Sequence, residues 1–256
     1  MITIGIDPVA FLNVRWYGIF IALAIVVLVL WMLWQVKKGA NLSYDTIFTG
    51  VLVGIPSGII ISRLLHVVDR WDYYSQNPGQ IIGGAGLTAY GAILGAALAI
   101  WIYSKFSHFK FGYVADLVAP GIILAQAVGR VGCTINGCCY GIPTSLPWGV
   151  IYTHPNSLAP LGVATHPATV YEIIWNLIVF AVLLKLRGRF KPDGSLFLIY
   201  LSLYSLWRVG TDFLREGTPF LFGLHQAQII AIIVLAITVP MLAYRTRWVK
   251  VESDTE

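Results

Sequence analysis

A small set of arginine and acidic residues borders or interrupts long apolar segments of the sequence. Arg130 and Arg208 each lie near the end of such a segment, Glu172 interrupts another, and Asp212 follows Arg208 by four residues. That spacing puts Arg208 and Asp212 on one face of a helix. A planar guanidinium group offers paired donors to phosphate and loses its water more easily than an ammonium group. These residues predict a phosphate site, although an ion pair that only joins helices would have the same spacing.

A glycine-rich segment, GRVGCTINGCCYG, begins at Gly129, where one long apolar run ends. Its glycines, among them Gly141, permit positive φ and close approach of the backbone. Such a turn can direct several N–H groups at an anion, and Asn136 lies within it. We expect the segment to contribute to the same site. A plain helix exit with an Asn-Gly turn is the alternative.

All three cysteines of the chain, Cys133, Cys138 and Cys139, lie in this segment. The first interpretation is structural, either as thiols or as a Cys133–Cys138 disulfide that leaves Cys139 buried. A metal site comes second, because zinc sites usually show CxxC-type spacing and a second ligand pair. A nucleophilic role comes last.

Two further segments carry candidate groups. GGAGLTAYGAILGA contains Tyr90, whose phenol would need a nearby cation to act as a base. Gly91 and Gly95 form a small-xxx-small pattern, which predicts close helix packing. HPATVYE runs from His166, which would cap or orient, to Glu172.

Membrane helices must position these residues. Of the 256 residues, 57% are hydrophobic and only 11% charged, whereas a soluble domain carries roughly a quarter charged residues. The mean hydropathy is +0.76. A spanning helix needs about twenty mostly apolar residues. Seven segments fit this need, and they are residues 16–36, 46–65, 86–104, 113–129, 168–186, 195–212 and 226–244.

The basic residues predict how these helices are oriented. Eleven of the seventeen, including every lysine, fall on the side that holds the C-terminus. The positive-inside rule then places the C-terminus in the cytoplasm and the N-terminus outside. Tyr17, Arg63 and Tyr90 lie at the outer helix ends together with the arginine and acidic residues. Ionisable groups at this depth usually face one wet cavity, although snorkelling to the outer headgroups is an alternative.

Residues 131–171 contain no Asp, Glu, Lys or Arg but are rich in Gly, Pro and aromatic residues. A disordered loop would usually be charged and poor in aromatics. The sequence therefore predicts an all-α integral membrane protein, one domain over residues 1–256, with an extracytoplasmic head inserted at residues 131–167. The scattered basic residues do not indicate nucleic acid binding.

The order of these segments resembles the bacterial prolipoprotein diacylglyceryl transferases. The resemblance covers nearly the whole chain, and the matching segments are RWYG, SRLLHVV, GGAGLTAYGAILGA, GRVGCTINGCCYG, HPATVYE, WRVGTDFLRE and GLHQAQ. It implies an inner-membrane enzyme of seven helices with a small extracytoplasmic head. It also implies transfer of the diacylglyceryl group of phosphatidylglycerol to the lipobox cysteine thiol of a preprolipoprotein, which forms a thioether and releases glycerol phosphate. No metal or organic cofactor is expected for this reaction.

The resemblance assigns roles by position. Arg130 matches the arginine that binds the phosphatidylglycerol headgroup. Other functionally important positions are matched by Tyr17, Gly141, Arg208 and Asp212, and Asp212 replaces the more familiar glutamate. The chain departs from the family pattern at Tyr90, because the family has a histidine, a proposed base, at this position. In the GRxGNFxNGE motif, the first asparagine is Cys133 and the glutamate is Cys138.

The predicted site therefore has two groups of residues. The candidate catalytic residues are Tyr90, Arg208, Asp212 and Tyr17. The candidate substrate-binding residues are Arg130, Asn136, Gly141, Arg63, His166 and Glu172. The base remains open among Tyr90, Asp212, Glu172 and His166.

Two other functions compete with this interpretation. An anion or lipid transporter would need polar residues through the inner half of the bundle, where Asp116 is the one candidate in the fourth segment. A lipid-binding scaffold without chemistry would explain the missing histidine.

Overall fold

The computed structural model describes residues 1–12, 14–83, 86–107, 109–217 and 220–249. Within these ranges the chain is mostly helical. The helices are α1 (Trp16–Lys37), α2 (Tyr44–Asp69), α3 (Trp71–Gln76), α4 (Gln80–Gly83), α5 (Ala89–Phe106), α6 (Phe111–Asn136), α7 (Ala168–Leu186), α8 (Ser195–Thr211) and α9 (Gln226–Arg245), and a 3-10 turn (Asp212–Leu214) follows α8.

Several of these helices have the length and composition of membrane spans. Among the described residues, five helices are long and apolar enough to cross a membrane, namely α1, α2, α6, α7 and α9. The apolar part of α5, Tyr90–Phe106, is shorter. Large apolar side chains on the outer faces, such as Leu52 and Ile178, are exposed. Because exposed apolar surface of this extent is unfavourable in water, these faces fit a lipid environment.

α6 forms the centre of the helical bundle. It packs against α1, α7 and α8, while α2 pairs with α5 and α8 with α9. Trp31 of α1 donates its indole N–H to the Leu117 carbonyl of α6 over 2.9 Å. The main core is built from apolar and aromatic side chains of several helices, including Ile123, Leu183 and Tyr200. These contacts fix the helices that carry the arginine and acidic residues.

The prediction that the fourth helix ends near Gly129 is wrong. α6 continues to Asn136, and Gly137 ends it in the left-handed conformation at φ 68°. A Cβ at Gly132 would lie 2.7 Å from Cβ of Phe20, so this glycine lets α1 approach α6 closely. The anion-binding turn expected at the start of the glycine-rich segment is therefore helix, and its small residues serve helix packing.

The close packing predicted for Gly91 and Gly95 is confirmed. A Cβ at Gly91 would lie 2.4 Å from Cα of Ser62, and one at Gly95 would lie 2.6 Å from Cβ of Ile61. These distances are shorter than any side chain tolerates, so α2 and α5 touch backbone to backbone along this line.

Short strands, which the sequence did not predict, complete the fold. They are β1 (Ile2–Ile4), β2 (Val9–Phe11), β3 (Val14–Arg15), β4 (Val150–Tyr152), β5 (Ala164–Thr165), β6 (Phe190–Lys191) and β7 (Arg247–Trp248). β1 runs parallel to β4 in the register Ile2 to Val150, and β4 runs antiparallel to β5. β2 pairs with β3, and β6 pairs with β7.

The three-stranded sheet of β1, β4 and β5 belongs to the segment that follows α6. Val150, Tyr152 and Ala159 form a small buried core there, with Ile4 and Tyr140 packed against it. The Tyr152 hydroxyl donates to the Thr134 carbonyl over 3.0 Å. The chain's first residues and residues 137–167 thus pack as one layer on the end of α6.

Asp116 is used to cap a helix. Its carboxylate accepts hydrogen bonds from the backbone N–H groups of Gly194, over 2.8 Å, and Phe197, over 2.9 Å. Both groups belong to the N-terminus of α8, where a negative charge is stabilising. The residue that a transport path would have required therefore has a structural partner.

Candidate functional site

Three helix ends bring the predicted charged residues together. Arg130 lies near the C-terminal end of α6, Glu172 near the start of α7, and Arg208 in the last turn of α8. α7 runs antiparallel to its two neighbours, so these positions meet at one end of the bundle. Asp212 and Arg215 join them from the 3-10 turn and the residue that follows it.

Glu172 is the centre of this group. Its Oε1 lies 2.9 Å from Nε of Arg130, and its Oε2 lies 3.7 Å from Nη1 of Arg208 and 3.7 Å from Nη1 of Arg215. Its side chain is only 4% exposed. A buried carboxylate is stable as an ion only beside such positive charges.

A second carboxylate, Asp212, completes what we call the arginine cluster. Its Oδ1 lies 2.8 Å from Nη2 of Arg208 and 3.9 Å from Nη1 of Arg215, and its Oδ2 accepts a hydrogen bond from Nη2 of Arg208 over 3.0 Å. The arginine cluster consists of Arg130, Glu172, Arg208, Asp212 and Arg215. Three guanidinium groups thus face two carboxylates, which leaves one positive charge.

Arg208 has spare donors inside the cluster. Within the described part of the chain, its Nε and Nη1 atoms have no hydrogen-bond partner although both are buried. A buried donor without an acceptor costs about 1–3 kcal/mol. The two atoms, together with the excess positive charge, make this position suited to an anionic oxygen.

Arg215 was not among the predicted site residues. It follows Asp212 by three residues and lies just beyond the 3-10 turn that ends this helical segment. The signal that would have found it is the run WRVGTDFLRE, in which charged residues recur every three or four positions.

Gly141 holds the segment after α6 against this cluster. It forms a backbone bridge with Arg215 and donates its N–H to the His166 carbonyl over 3.0 Å. A Cβ here would lie 2.5 Å from Cβ of His166 and 2.6 Å from the Leu214 carbonyl oxygen. Only glycine allows this approach.

His166 and Tyr171 form a polar pair beside the cluster. Nδ1 of His166 lies 3.4 Å from the Tyr171 hydroxyl, which also accepts a hydrogen bond from the Trp148 indole over 2.7 Å. His166 thus contacts Tyr171, the residue before Glu172, and its side chain does not cap α7, whose N-cap is Pro167.

Tyr17 and Asn136 lie on the α1 side of the cluster. Cα of Tyr17 is 3.2 Å from the position of a Cβ on Gly132, and its phenol interacts electrostatically with Arg130. Asn136 is buried and accepts a hydrogen bond from Nη1 of Arg15 over 2.9 Å. Asn136 therefore orients Arg15 and is not a member of the arginine cluster.

Tyr90 lies deeper, against α8. Its hydroxyl donates to Oγ of Ser205 over 3.2 Å, and its ring packs edge-on against Tyr204 at a centroid distance of 5.5 Å. The charges that act on it are those of Arg208 and Asp212.

Arg63 lies in a different environment. It donates to the backbone carbonyls of Gln80, Ile81 and Gly86 over 2.6, 2.8 and 3.0 Å. Its guanidinium also lies over the Tyr74 ring at 5.1 Å. These contacts hold the segment between α3 and α5, and the structure does not bring Arg63 into the arginine cluster.

The three cysteines are free thiols, so the Cys133–Cys138 disulfide considered from the sequence is not formed. Cys133 is the buried one, and Cys138 and Cys139 are half-buried. Their three sulfur atoms lie within 4.8 Å of one another. Nη1 of Arg130 lies 3.8 Å from Sγ of Cys133. Hydrogen bonds from the other two thiols, together with the charges of Arg215 and Arg130, hold the pKa of Cys139 well below its usual value.

An apolar groove runs beside the cluster on the outer face of α7 and α8. It is lined by Tyr171, Ile174, Trp175, Ile178 and Trp207, and its volume is about 180 Å³. Trp175 and Trp207 stack at a centroid distance of 4.9 Å. Because Tyr171 precedes Glu172 and Trp207 precedes Arg208, the groove begins next to the charged residues.

Comparisons with known proteins agree on one family. The family model described as prolipoprotein diacylglyceryl transferase matches residues 6–244. A phosphatidylglycerol–prolipoprotein diacylglyceryl transferase of Dehalococcoides mccartyi is 52% identical over 251 residues, which covers 96% of each chain. Proteins of the same name from Clostridioides difficile and Lysinibacillus sphaericus are 36% and 35% identical, and the matches cover 89% and 98% of this chain and 90% and 96% of theirs.

Proposed function

This chain belongs to the prolipoprotein diacylglyceryl transferase family, and we propose from that membership how its arginine cluster works. The protein is a multi-pass bacterial membrane enzyme that transfers the diacylglyceryl group of phosphatidylglycerol to a prolipoprotein. In the proposed reaction the lipobox cysteine thiol attacks a glycerol carbon. A thioether forms and glycerol phosphate leaves.

The observation that carries this proposal is the arginine cluster, in which three guanidinium groups face two carboxylates. The Nε and Nη1 atoms of Arg208 are buried donors without a hydrogen-bond partner among the described residues, and the phosphodiester of phosphatidylglycerol supplies anionic acceptor oxygens. Arg130 faces the same site with its guanidinium held by Glu172 over 2.9 Å. We assign both arginines to the lipid phosphate.

Charge development explains why arginines are needed. The phosphodiester carries one negative charge, and the released glycerol phosphate carries a second when the carbon–oxygen bond breaks. A donor aimed at a developing charge stabilises the transition state by about 3 kcal/mol. Arg208 and Arg130 therefore act on the leaving group more strongly in the transition state than in the bound lipid.

The acidic residues act on the arginines. Glu172 contacts three guanidinium groups and Asp212 contacts two. Each carboxylate is therefore already ion-paired with more than one arginine. We therefore assign Glu172 and Asp212 to holding the guanidinium groups in position. Tyr90 positions α8 through its bond to Ser205, one turn before Arg208.

Three residues at the rim complete the proposed substrate site. We assign Tyr17 to the α1 wall, because it interacts with the charge of Arg130. His166 borders the cluster beside Tyr171, and Gly141 holds the segment that covers it. The apolar groove between α7 and α8 suits one acyl chain, since it begins beside Glu172 and Arg208.

We also propose seven membrane crossings, with α5 and α8 added to the five long helices. The N-terminus would then be extracytoplasmic and the C-terminus cytoplasmic. The arginine cluster lies at the helix ends opposite Lys37, Lys105 and Lys185, and the positive-inside rule places those lysines in the cytoplasm. In this arrangement residues 131–167 form an extracytoplasmic head on a single domain.

The test is a defined reaction. Purified protein in phosphatidylglycerol vesicles is incubated with a lipobox peptide, and mass spectrometry detects a diacylglyceryl adduct on the cysteine. The control peptide carries serine at that position. An adduct that forms only with the cysteine peptide is expected. A protein that binds the lipid but gives no adduct would be a lipid-binding scaffold.

A further inference from the structure

The three thiols lie close enough together to bind one metal ion. Cys133 projects from the last turn of α6, and Cys138 and Cys139 follow the glycine that ends this helix. The left-handed backbone of Cys139, at φ 60°, turns the chain back at this point. As a result all three sulfur atoms lie within 4.8 Å of one another.

These distances are close to those of a thiolate metal site. A zinc–sulfur bond is about 2.3 Å long, and tetrahedral angles then place the sulfur atoms about 3.8 Å apart. The three sulfur atoms, all within 4.8 Å of one another, would have to move by about 1 Å or less to reach this spacing.

The surrounding charges favour a bound metal thiolate. Three thiolates around one divalent ion carry a net charge of minus one. Nη1 of Arg130 lies 3.8 Å from Sγ of Cys133, and the charge of Arg215 acts on Cys139. These guanidinium groups would repel a free cation but stabilise the anionic complex, so the pocket selects a metal that binds thiolate strongly.

The fourth ligand position is open. Within the described residues, the group that converges here contains only the three cysteines, and no histidine or carboxylate completes a set of four. Structural zinc sites are closed by four protein ligands, whereas catalytic sites keep one position for water or substrate. An open position beside the lipid phosphate site is suited to a substrate ligand.

We propose that Cys133, Cys138 and Cys139 bind one zinc-type divalent ion, whose fourth ligand is the acceptor thiol of the lipobox peptide. This role rests on the proposed function. On coordination the acceptor thiol releases its proton to solvent, because a metal ion deprotonates a coordinating thiol. Its sulfur then forms the bond to the glycerol carbon, while the bond from that carbon to the phosphate oxygen breaks and glycerol phosphate leaves with the electron pair. The metal site would activate the acceptor thiol, which Glu172 and Asp212 are not assigned to do. It thereby revises the expectation that no metal is needed.

The first experiment measures metal binding without any substrate. Reduced protein in detergent is titrated with Cd²⁺, and thiolate-to-metal charge-transfer absorption is followed. One ion per chain is expected. The matched control replaces all three cysteines with serine and therefore contains no thiol at all, so it should show no such absorption. Each single serine variant should bind at least about tenfold more weakly, since even the loss of a ligand's supporting hydrogen bond costs about 10–100-fold.

Failure of wild-type protein to develop this absorption would overturn the site. It would also be overturned if thiol counting on the protein before reduction found two of the cysteines paired as a disulfide. Neither result requires a variant to fold, because both are measured on the unaltered chain.

The second experiment tests the open position. Co²⁺-loaded protein is mixed with the lipobox peptide, and the visible absorption of Co²⁺ is compared with that after addition of the serine peptide. A spectral change with the cysteine peptide alone is expected. An unchanged spectrum would overturn the acceptor role while leaving the metal site.

The two proposals fail separately. If chelator-treated protein and the cysteine-free variant form the diacylglyceryl adduct at the wild-type rate, the metal has no role and the proposed function stands. If metal and peptide bind as expected but no preparation forms an adduct, the proposed function falls.

Discussion

Replacement of Arg208 by lysine tests whether its geometry, as well as its charge, serves the reaction. Lysine keeps the positive charge beside Asp212, whose Oδ1 now lies 2.8 Å from Nη2 of Arg208. It cannot keep the planar fork, so the two donors at Nε and Nη1, which have no hydrogen-bond partner among the described residues, are lost. Since an ammonium is a compact point charge, the substitution is not conservative at such a site.

The size of the effect follows from those two donors. Loss of one donor aimed at a developing anion costs about 3 kcal/mol, which is about a hundredfold in rate. We therefore expect kcat/KM for the lipobox peptide to fall by at least about a hundredfold in Arg208→Lys. The free energy of unfolding should change by less than about 2 kcal/mol, because the buried charge pair is retained.

Arg187 provides the matched control. Like Arg208, Arg187 has a polar side-chain partner, which is Gln35. It lies at the end of α7 that is away from the arginine cluster. Arg187→Lys should leave the transfer rate unchanged. The assay is adduct formation in phosphatidylglycerol vesicles, with thermal unfolding measured on the same samples. Near wild-type kcat/KM in Arg208→Lys would refute the assignment of its free donors to the lipid phosphate.

Three further substitutions test the scaffold. Gly141→Ala should lower the free energy of unfolding by about 1–3 kcal/mol, because the new Cβ has no room. The control Gly210→Ala should leave the free energy of unfolding unchanged, since nothing lies within 4 Å of its new Cβ. Equal thermal unfolding of the two variants would contradict the packing argument. Gly91→Ala should separate α2 from α5 and reduce the yield of folded protein in a size-exclusion profile, whereas Gly18→Ala, which also meets nothing, should behave as wild type. Asp116→Asn should cost about 1 kcal/mol as a weakened helix cap and leave transfer intact; loss of adduct formation without unfolding would instead give this carboxylate a functional role.

The long helices were predictable because lipid accepts no unpaired backbone. Any spanning segment must therefore be a continuous apolar run, and α1 accordingly begins at the predicted Trp16. The end of α6 was not predictable from local signals. Gly129 and Gly132 predict a turn by composition, but in the structure they serve contact with α1, which only the folded bundle supplies.

The charged site was predicted from arginines and carboxylates on separate helices, and the structure brings Arg130, Glu172, Arg208 and Asp212 together. Arg215 was missed because a turn, rather than helical periodicity, returns it to the site. The strands were missed for a related reason. β1 and β4 contain three residues each and come from distant parts of the sequence, so neither has a pattern of its own.

The parallel pairing of β1 with β4 has a consequence for biogenesis. Ile2 can meet Val150 only after every intervening helix has been inserted, because the two strands lie on the same side of the bundle. Contacts between such distant residues form late and slowly. β1 therefore stays unpaired until β4 has been synthesised. A fusion partner attached to Met1 would be present when β1 pairs with β4 and could hinder that step. A fusion partner attached after α9 would not be near this pairing.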